Sequence, residues 1–380
     1  MRFTIATRIF APEPAAASFR LTALANALAS AGHSVVVSTS RVPGNERAAV
    51  RPGVQVRRMP VLRDREGYVR GYLQYMSFDI PLFFRLVFAR RSDAVVAEPP
   101  PTTGAVVRIA SWIRRTPYIY YAADIWADAA QSTGAPKLVI SIVRMLEAWS
   151  MSGATHVVAV TDGVAARVRV LAKHDRISVV RNGVDIEVFN DDAAADRDKP
   201  VAVYAGTTSE WQGAEVFIDA MPAVLAEIPD ARLVFLGQGS AWDELHDRAL
   251  RTVPHSIEFR PVAPPEDAAA LLREARVALV SLRPGLGYDF AIPTKIFAAT
   301  ACGTPVLFAG DGAAATLISQ NALGSRVEWA SAQVSDQLIA MLAAPSDPAY
   351  RRDLSDWAAR NVSIQATATT VAELVIASSR

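Results

Sequence analysis

The chain has 380 residues, 51% of them hydrophobic and 20% charged, and a formal net charge of +1. That length suits two domains with a core each. The composition excludes a largely disordered chain, and the near-zero charge excludes a global pull toward nucleic acid. A single cysteine, Cys302, excludes an internal disulfide and fits a reducing compartment; it reads as a small buried side chain on a helix.

The opening stretch "MRFTIATRIFAPEP" is broken by Arg8 and two prolines. It reads as a buried strand and loop rather than a signal peptide. No apolar run approaches the roughly 20 residues that span a bilayer, so a cytoplasmic location is expected. The runs "FTIAT", "SVVVSTS", "VQVRRMP", "AVVAE", "YIYYAAD", "HVVAVT" and "ISVVRN" then alternate with Ala/Leu-rich helical stretches. Between Arg41 and Arg70, arginines stand at 41, 47, 51, 57, 58, 63, 65 and 70, against Glu46, Asp64 and Glu66. The aromatic segment "GYLQYMSFDIPLFFRLVFARR" follows at once. Two readings stay open: contact with an anionic membrane at its inner face, or a solvated loop leading into a core helix.

The pattern resets at "NDDAAADRDKP" (190–200), a polar stretch that reads as a linker. The expected division is a first domain over 1–189, a second over 201–357, and a C-terminal helical segment over 358–380 crossing back to the first. Asp196 and Asp198 form a nominal D-x-D inside the linker and read as solvated charge. In the second half the runs are "VAVYAG", "ARLVFLG", "IEFRPV", "VALVSL" and "PVLFAG". Continuous apolar strands alternating with helices indicate parallel sheets covered on both faces. The fold class is α/β, with two doubly wound, Rossmann-like domains.

Ligands of such sheets bind beyond the carboxyl ends of the strands. The candidates are therefore Glu98, Asp124, Gly206 with Thr207, Gly237 with Gln238, and Arg283 through Asp289. The five histidines are scattered and no H-E-x-x-H or cysteine pair occurs, so no metal site is expected. No G-x-G-x-x-G follows the first strand and no G-x-x-x-x-G-K-[ST] occurs, which argues against dinucleotide and P-loop chemistry. What remains is anion recognition in the second domain. "VYAGTTSEWQG" (203–213) and "RLVFLGQG" (232–239) are strands running into glycine-bearing loops. In "DFAIPTKIFAATACGTPV" (289–306), Thr294 reads as a helix N-cap after Pro293, and Lys295 falls in the first turn. Gly303 and Pro305 end that helix. A lysine there is disfavoured by the helix dipole unless an anion shares the site, and lysine plus free N–H groups suit a phosphate. The alternative is a solvated surface lysine.

"RNGVD…F" (181–189), "YAGTTSEWQG", "ARLVFLGQGS" and "IPTKIFAATACGTPVL" stand in the order and at the spacing that resembles retaining glycosyltransferases of family 4. "FAPEPAAASFRLTALANALASAGHSVVVSTS" and "DIWAD" (124–128) resemble the same family's first domain. The likeness is to the bacterial branch that includes amino-sugar transferases of surface-polysaccharide assembly. The resemblance implies a GT-B fold, two Rossmann-like domains facing across a donor cleft, and metal-independent transfer from an NDP-sugar, expected to be UDP-linked. No cofactor beyond that co-substrate is implied.

By the same resemblance, Gly206, Thr207, Gln212 and Gly213 form the phosphate-side loop. Lys295 contacts the diphosphate, and Arg260 and Val262 in "RPV" meet the base edge. Gly237, Asp289, Pro293 and Thr294 complete the donor side. Asp124 and Lys295 are the catalytic candidates, Asp124 facing the donor sugar, while Arg20, Glu98 and Tyr72 lie on the acceptor side. Two departures stand out. Ala298 replaces the family's usual ribose-gripping glutamate, and the first-domain loop reads "PAAAS" (14–18). The expected acceptor is lipid-linked, in envelope glycan assembly, with peripheral contact to an anionic membrane. The alternatives are a soluble small-molecule acceptor of antibiotic type, or a catalytically silent binding subunit, which Ala298 motivates.

Overall fold

In the computed structural model the thirteen strands found among the described residues pair in parallel, in two sheets. The structure describes the chain apart from residues 14, 43–48, 64–68, 70, 129–135, 192–196, 198 and 380, and apart from the side chain of Tyr72. The chain divides into two units, Met1–Asn182 with Ile364–Arg380, and Gly183–Ser363.

The first unit is built on β1 (Arg2–Ala6), β2 (Ser34–Ser40), β3 (Val54–Met59), β4 (Ala94–Ala97), β5 (Tyr118–Ala122), β6 (His156–Ala159) and β7 (Ile177–Val179). Their order across the sheet is β3-β2-β1-β4-β5-β6-β7. The helices between them are α1 (Ala16–Ser30), α2 (Tyr72–Phe88), α3 (Pro101–Arg114), α4 (Lys137–Ser152) and α5 (Asp162–Ala172). Central strands such as β4 (AVVA) and β5 (YIYYA) are buried at every position, as both-face coverage requires. Edge strand β3 alternates instead, with Gln55 and Arg57 exposed, a composition that discourages further strand pairing.

The second unit repeats the plan with β8 (Val201–Thr207), β9 (Arg232–Gln238), β10 (Ile257–Arg260), β11 (Val277–Ser281), β12 (Val306–Ala309) and β13 (Gly324–Val327). The order is β10-β9-β8-β11-β12-β13. Helices α6 (Glu215–Glu227), α7 (Trp242–Thr252), α8 (Pro265–Glu274), α9 (Thr294–Ala301), α10 (Ala313–Gln320), α11 (Ser331–Ala343) and α12 (Pro348–Asn361) cover its faces. Strand alternation sorts the core into two layers. Val203, Val234, Ala278 and Phe308 pack on one side, and Tyr204, Phe235, Leu279 and Leu307 on the other.

The unit boundaries fall away from those expected. Val184 donates its N–H to the Val362 carbonyl at 2.8 Å, and Val184, Ala358 and Val362 belong to the second unit's core. The segment 183–189 therefore lies with the second unit. Helix α12 also stays there, and the returning helix is α13 (Ile364–Ser378), packed on α1, not one beginning at 358. In each sheet the strand order reverses once, between β1 and β4 and between β8 and β11. Thr7, Glu98, the 207–213 loop and the 283–289 loop all leave the sheets at these switch points. Among the described residues, no helix is long and apolar enough to cross a membrane.

Candidate active site

The second unit's switch point is made largely of backbone. Gly206 (φ +129°) and Gly237 (φ +147°) sit side by side across the β8–β9 ladder. A Cβ on Gly237 would lie 2.1 Å from the Gly206 carbonyl, and one on Gly206 would lie 2.9 Å from Lys295 Cε. Only glycine permits both the dihedrals and the close approach. The Lys295 chain runs along Gly206, and its Nζ donates to the Thr207 carbonyl at 2.8 Å, 4.9 Å from the Tyr204 ring. Desolvation lowers its pKa to about 7. The side chain is only half-buried, so water offsets part of that shift.

Helix α9 begins one residue earlier than expected. Pro293 holds the N-cap position and Thr294 is already helical, because the first turn closes through Ile296 N–H to the Pro293 carbonyl at 3.1 Å. Proline has no side-chain acceptor, so no side chain caps this helix. Lys295 thus stands in an uncapped first turn, where an anion would be stabilised.

Gln212 is buried. Its Oε1 accepts from Ser209 N–H at 3.0 Å, the return arm of a capping box around the Glu210–Gln212 turn, and lies 3.2 Å from the Tyr204 hydroxyl. The Gly213 carbonyl accepts from Trp329 Nε1 at 2.8 Å. Arg283 pairs with Glu215 and lies 4.9 Å over the Trp329 ring. Trp211 and Tyr288 stack at 4.5 Å, tying the 207–213 loop to the 283–289 loop. The Asp289 side chain is exposed, while its carbonyl accepts from Ala313 N–H at 2.8 Å. Arg260 is engaged by Glu258 on its own strand, at 2.7 and 2.9 Å, and Val262 is exposed. Ala298 is partly buried against the core.

The first unit's switch point is made of side chains. Arg20, Glu98 and Asp124 come together there. Arg20 is buried and pairs with Glu98, donates to Asn182 Oδ1 at 2.8 Å, and stacks 4.7 Å over Tyr121. Burial opposes its charge, but Glu98 outweighs that and the pKa ends above the usual value. Glu98 also accepts from Thr7 Oγ1 at 2.9 Å. Crowding by protein pushes the Asp124 carboxyl up to about 6, with Arg20 pulling it down and Glu98 up. Asp124 remains open to solvent, which makes that value an upper bound. The turn after Asp124 is anchored from behind: buried Glu147 accepts from Trp126 N–H at 2.7 Å and Ala127 N–H at 3.0 Å. Desolvation lifts Glu147 to about 7. Arg8, also buried, lies 4.1 Å over the Tyr75 ring.

Tyr72 is the first residue of α2, with its side chain outside the described residues. Asp196 and Asp198 lie outside them too, as do Arg47, Arg65 and Arg70. Sequence reasoning missed Thr7, Asn182, Glu147, Tyr204, Glu215 and Trp329. Asn182 stood in the "RNGVD" motif without a partner in view, and the others carried no local signal.

Residues 16–183 match the family described as Glycosyl transferase 4-like domain, and residues 199–344 match Glycosyl transferases group 1. The D-inositol 3-phosphate glycosyltransferase of Segniliparus rotundus is 27% identical over 216 residues, covering 51% of this chain and 47% of that protein. The chain thus spans about half the length of the curated relatives it matches. Among solved structures, sucrose-phosphate synthase from Thermosynechococcus elongatus aligns with a TM-score of 0.75 at 17% identity, over 98% of each chain. Anabaena HepE in complex with UDP aligns with a TM-score of 0.71 at 17% identity, over 99% of this chain and 100% of that one. The fold is GT-B, as expected. With both family domains in order along one chain, each on its own Rossmann-like sheet, this protein belongs to the GT4-type glycosyltransferases.

Proposed function

We propose that the protein is a retaining, metal-independent glycosyltransferase that moves a sugar from an NDP-sugar to an acceptor hydroxyl. The observation that carries this reading is Lys295 in the uncapped first turn of α9, laid along the glycine backbone at Gly206. One of its three donors is used by the Thr207 carbonyl, leaving two for a diphosphate. As the bond from the anomeric carbon to the diphosphate breaks, negative charge grows on the leaving oxygens. Lys295 and the first-turn N–H groups stabilise it there. The acceptor hydroxyl attacks the face the diphosphate leaves, and its proton passes to the departing phosphate oxygen. Asp124, at the carboxyl edge of the first sheet, is the second proposed catalytic group.

The UDP bound by Anabaena HepE makes UDP-sugars the first donors to test, and the name of the Segniliparus relative makes an inositol phosphate the first soluble acceptor to test. A lipid-linked acceptor in envelope glycan assembly is the broader expectation. The experiment is incubation with a panel of NDP-sugars and both acceptor types, with and without a chelator, monitoring released NDP. Release that survives chelation, with the anomeric configuration kept in the product, is the expected result. No release from any donor sinks the reading. In that case calorimetry with UDP, GDP and TDP tests the silent subunit that Ala298 suggests, which would bind none of them.

A further inference from the structure

The first unit carries a second constellation, at the opposite end of its sheet from Glu98 and Asp124. The last turns of α2 and α3, the start of β1 and edge strand β3 enclose a recess lined by Arg2, Arg57, Arg85, Arg90, Arg91 and Arg114. Among the described residues no carboxylate lines it. Among the described residues none of these six guanidinium groups has a carboxylate partner. Arg57 donates to Gln55 Oε1, and Arg85, Arg91 and Arg114 reach backbone carbonyls. The nearest acid in sequence, Asp93, is turned to the backbone N–H of Arg2 at 2.7 Å. Arg85 and Arg114 complement the ends of helix dipoles, but the other four have no such local reason.

Inside the recess the Ser111 hydroxyl and Arg114 Nε are buried with no hydrogen-bond partner. Ser111 is 6% exposed. Buried donors of this kind belong with an acceptor. An anion bearing several oxygens fits six cations and a free hydroxyl, and phosphate is the chemistry that arginine forks recognise best.

The helices around the recess say where that phosphate comes from. Helix α3 packs against both α2 and α4. On these three, Phe84, Phe88, Trp112, Ile113, Leu138 and Met145 are exposed, Trp112 by 80% and Phe88 by 79%. The two acids on these helices, Asp79 and Glu147, are wholly buried. The solvent side is therefore aromatic and aliphatic with basic residues and no exposed acid, the composition of a surface that lies in a lipid headgroup layer.

We infer that the α2–α3–α4 face rests on an anionic bilayer and that the arginine recess at its end holds a lipid phosphate. The large apolar side chains enter the boundary between headgroups and acyl chains, and the arginines supply the preference for anionic lipid. The inference is independent of the transfer reaction, because it uses neither sheet's carboxyl edge.

The test is flotation of the full chain with phosphatidylcholine vesicles, with and without phosphatidylglycerol, at about 0.1 M salt. Binding only to the anionic vesicles is expected. The double substitution Arg90→Glu with Arg91→Glu should weaken it roughly tenfold or more. Phe88→Ser with Trp112→Ser should weaken it severalfold, and the loss should persist at high salt. All four residues are exposed, so the fold and UDP binding by the second unit should be unchanged, which separates this inference from the enzymatic one.

Equal binding to neutral vesicles, no binding, or indifference to the arginine reversals overturns it. So does saturable binding of inorganic phosphate that the reversals abolish without any vesicle binding, which would make the recess a site for a soluble anion. A dimer in sedimentation velocity that Trp112→Ser breaks also overturns it, since a second copy would then cover the face.

Discussion

At the carboxyl edge of the first sheet, Arg20, Glu98, Thr7 and Asn182 pair with one another before any ligand arrives, and only Arg20 Nε among the polar side-chain atoms of these four is buried without a partner. At the same edge of the second sheet, glycine backbone and one half-committed lysine leave donors unspent. The strand order is shared, yet one edge is rigid through side-chain charge and the other is open through missing side chains. A pre-formed network fixes shape and sets the field at a neighbour such as Asp124. An edge with spare N–H and ammonium donors binds. On the proposed function, the same scaffold divides positioning from anion capture by the residue types placed at its switch points.

The sharpest way to break this contrast is Arg20→Ala. It leaves Glu98 as an unpaired buried carboxylate, so unfolding in urea should show a loss of about 3–5 kcal/mol. If stability barely changes, the first edge is not the rigid one. Lys295→Ala should do the reverse: stability nearly unchanged, but kcat/KM lower by about 10²- to 10³-fold, the scale of removing one donor from developing negative charge. A fall in kcat together with a rise in KM is expected, since the lysine holds the anionic diphosphate before bond breaking and meets more charge during it. If neither parameter moves, the phosphate reading of α9 is wrong.

A smaller effect comes from Ala298, where the family's glutamate is absent. Ala298→Glu should lower KM by about 10- to 150-fold with kcat nearly constant, because ribose does not change during transfer and a charged hydrogen bond to it is worth about 1.5–3 kcal/mol. Should Asp289 already make that contact, Ala298→Glu weakens binding instead and Asp289→Ala raises KM. Steady-state kinetics of the two variants separates these outcomes.

The pH profile is the mildest probe. Asp124 must be ionised to act on the sugar, so kcat/KM should fall as pH drops through its pKa, at most about 6. On the proposed function Lys295 must be protonated, so kcat/KM should also fall as pH rises through its pKa, at least about 7. Each limb should approach about tenfold per pH unit. Asp124→Asn should remove the acid limb from the remaining activity, and Lys295→Arg the alkaline one, since guanidinium stays charged.

The difference between the edges also governs what could be read from sequence. Strands such as "YIYYA" and "VALVS" announce themselves because both faces are buried. Glycines at strand ends mark an open edge just as locally. The Arg20–Asn182 contact joins residues 162 positions apart, and no local pattern encodes it. The α9 cap was misassigned because threonine is the better cap by preference, whereas the chain makes its turn at proline. The Gln212 carbonyl is engaged within the capping box, a local role that the glycine-bearing loop did not announce. The unit boundaries moved because Val184 and Val362 are hydrogen-bonded across a separation that composition cannot show.

The Trp211–Tyr288 stack has an optical consequence. A tyrosine ring 4.5 Å from an indole transfers its excitation to that indole, so Tyr288 emits almost nothing while the two loops are held together. The loops it joins flank Lys295 from both sides of the β8–β11 switch point. A donor that parts them restores tyrosine emission, and one that clamps them leaves it dark. The difference between the chain and its Tyr288→Phe variant isolates this pair from the other eight tyrosines.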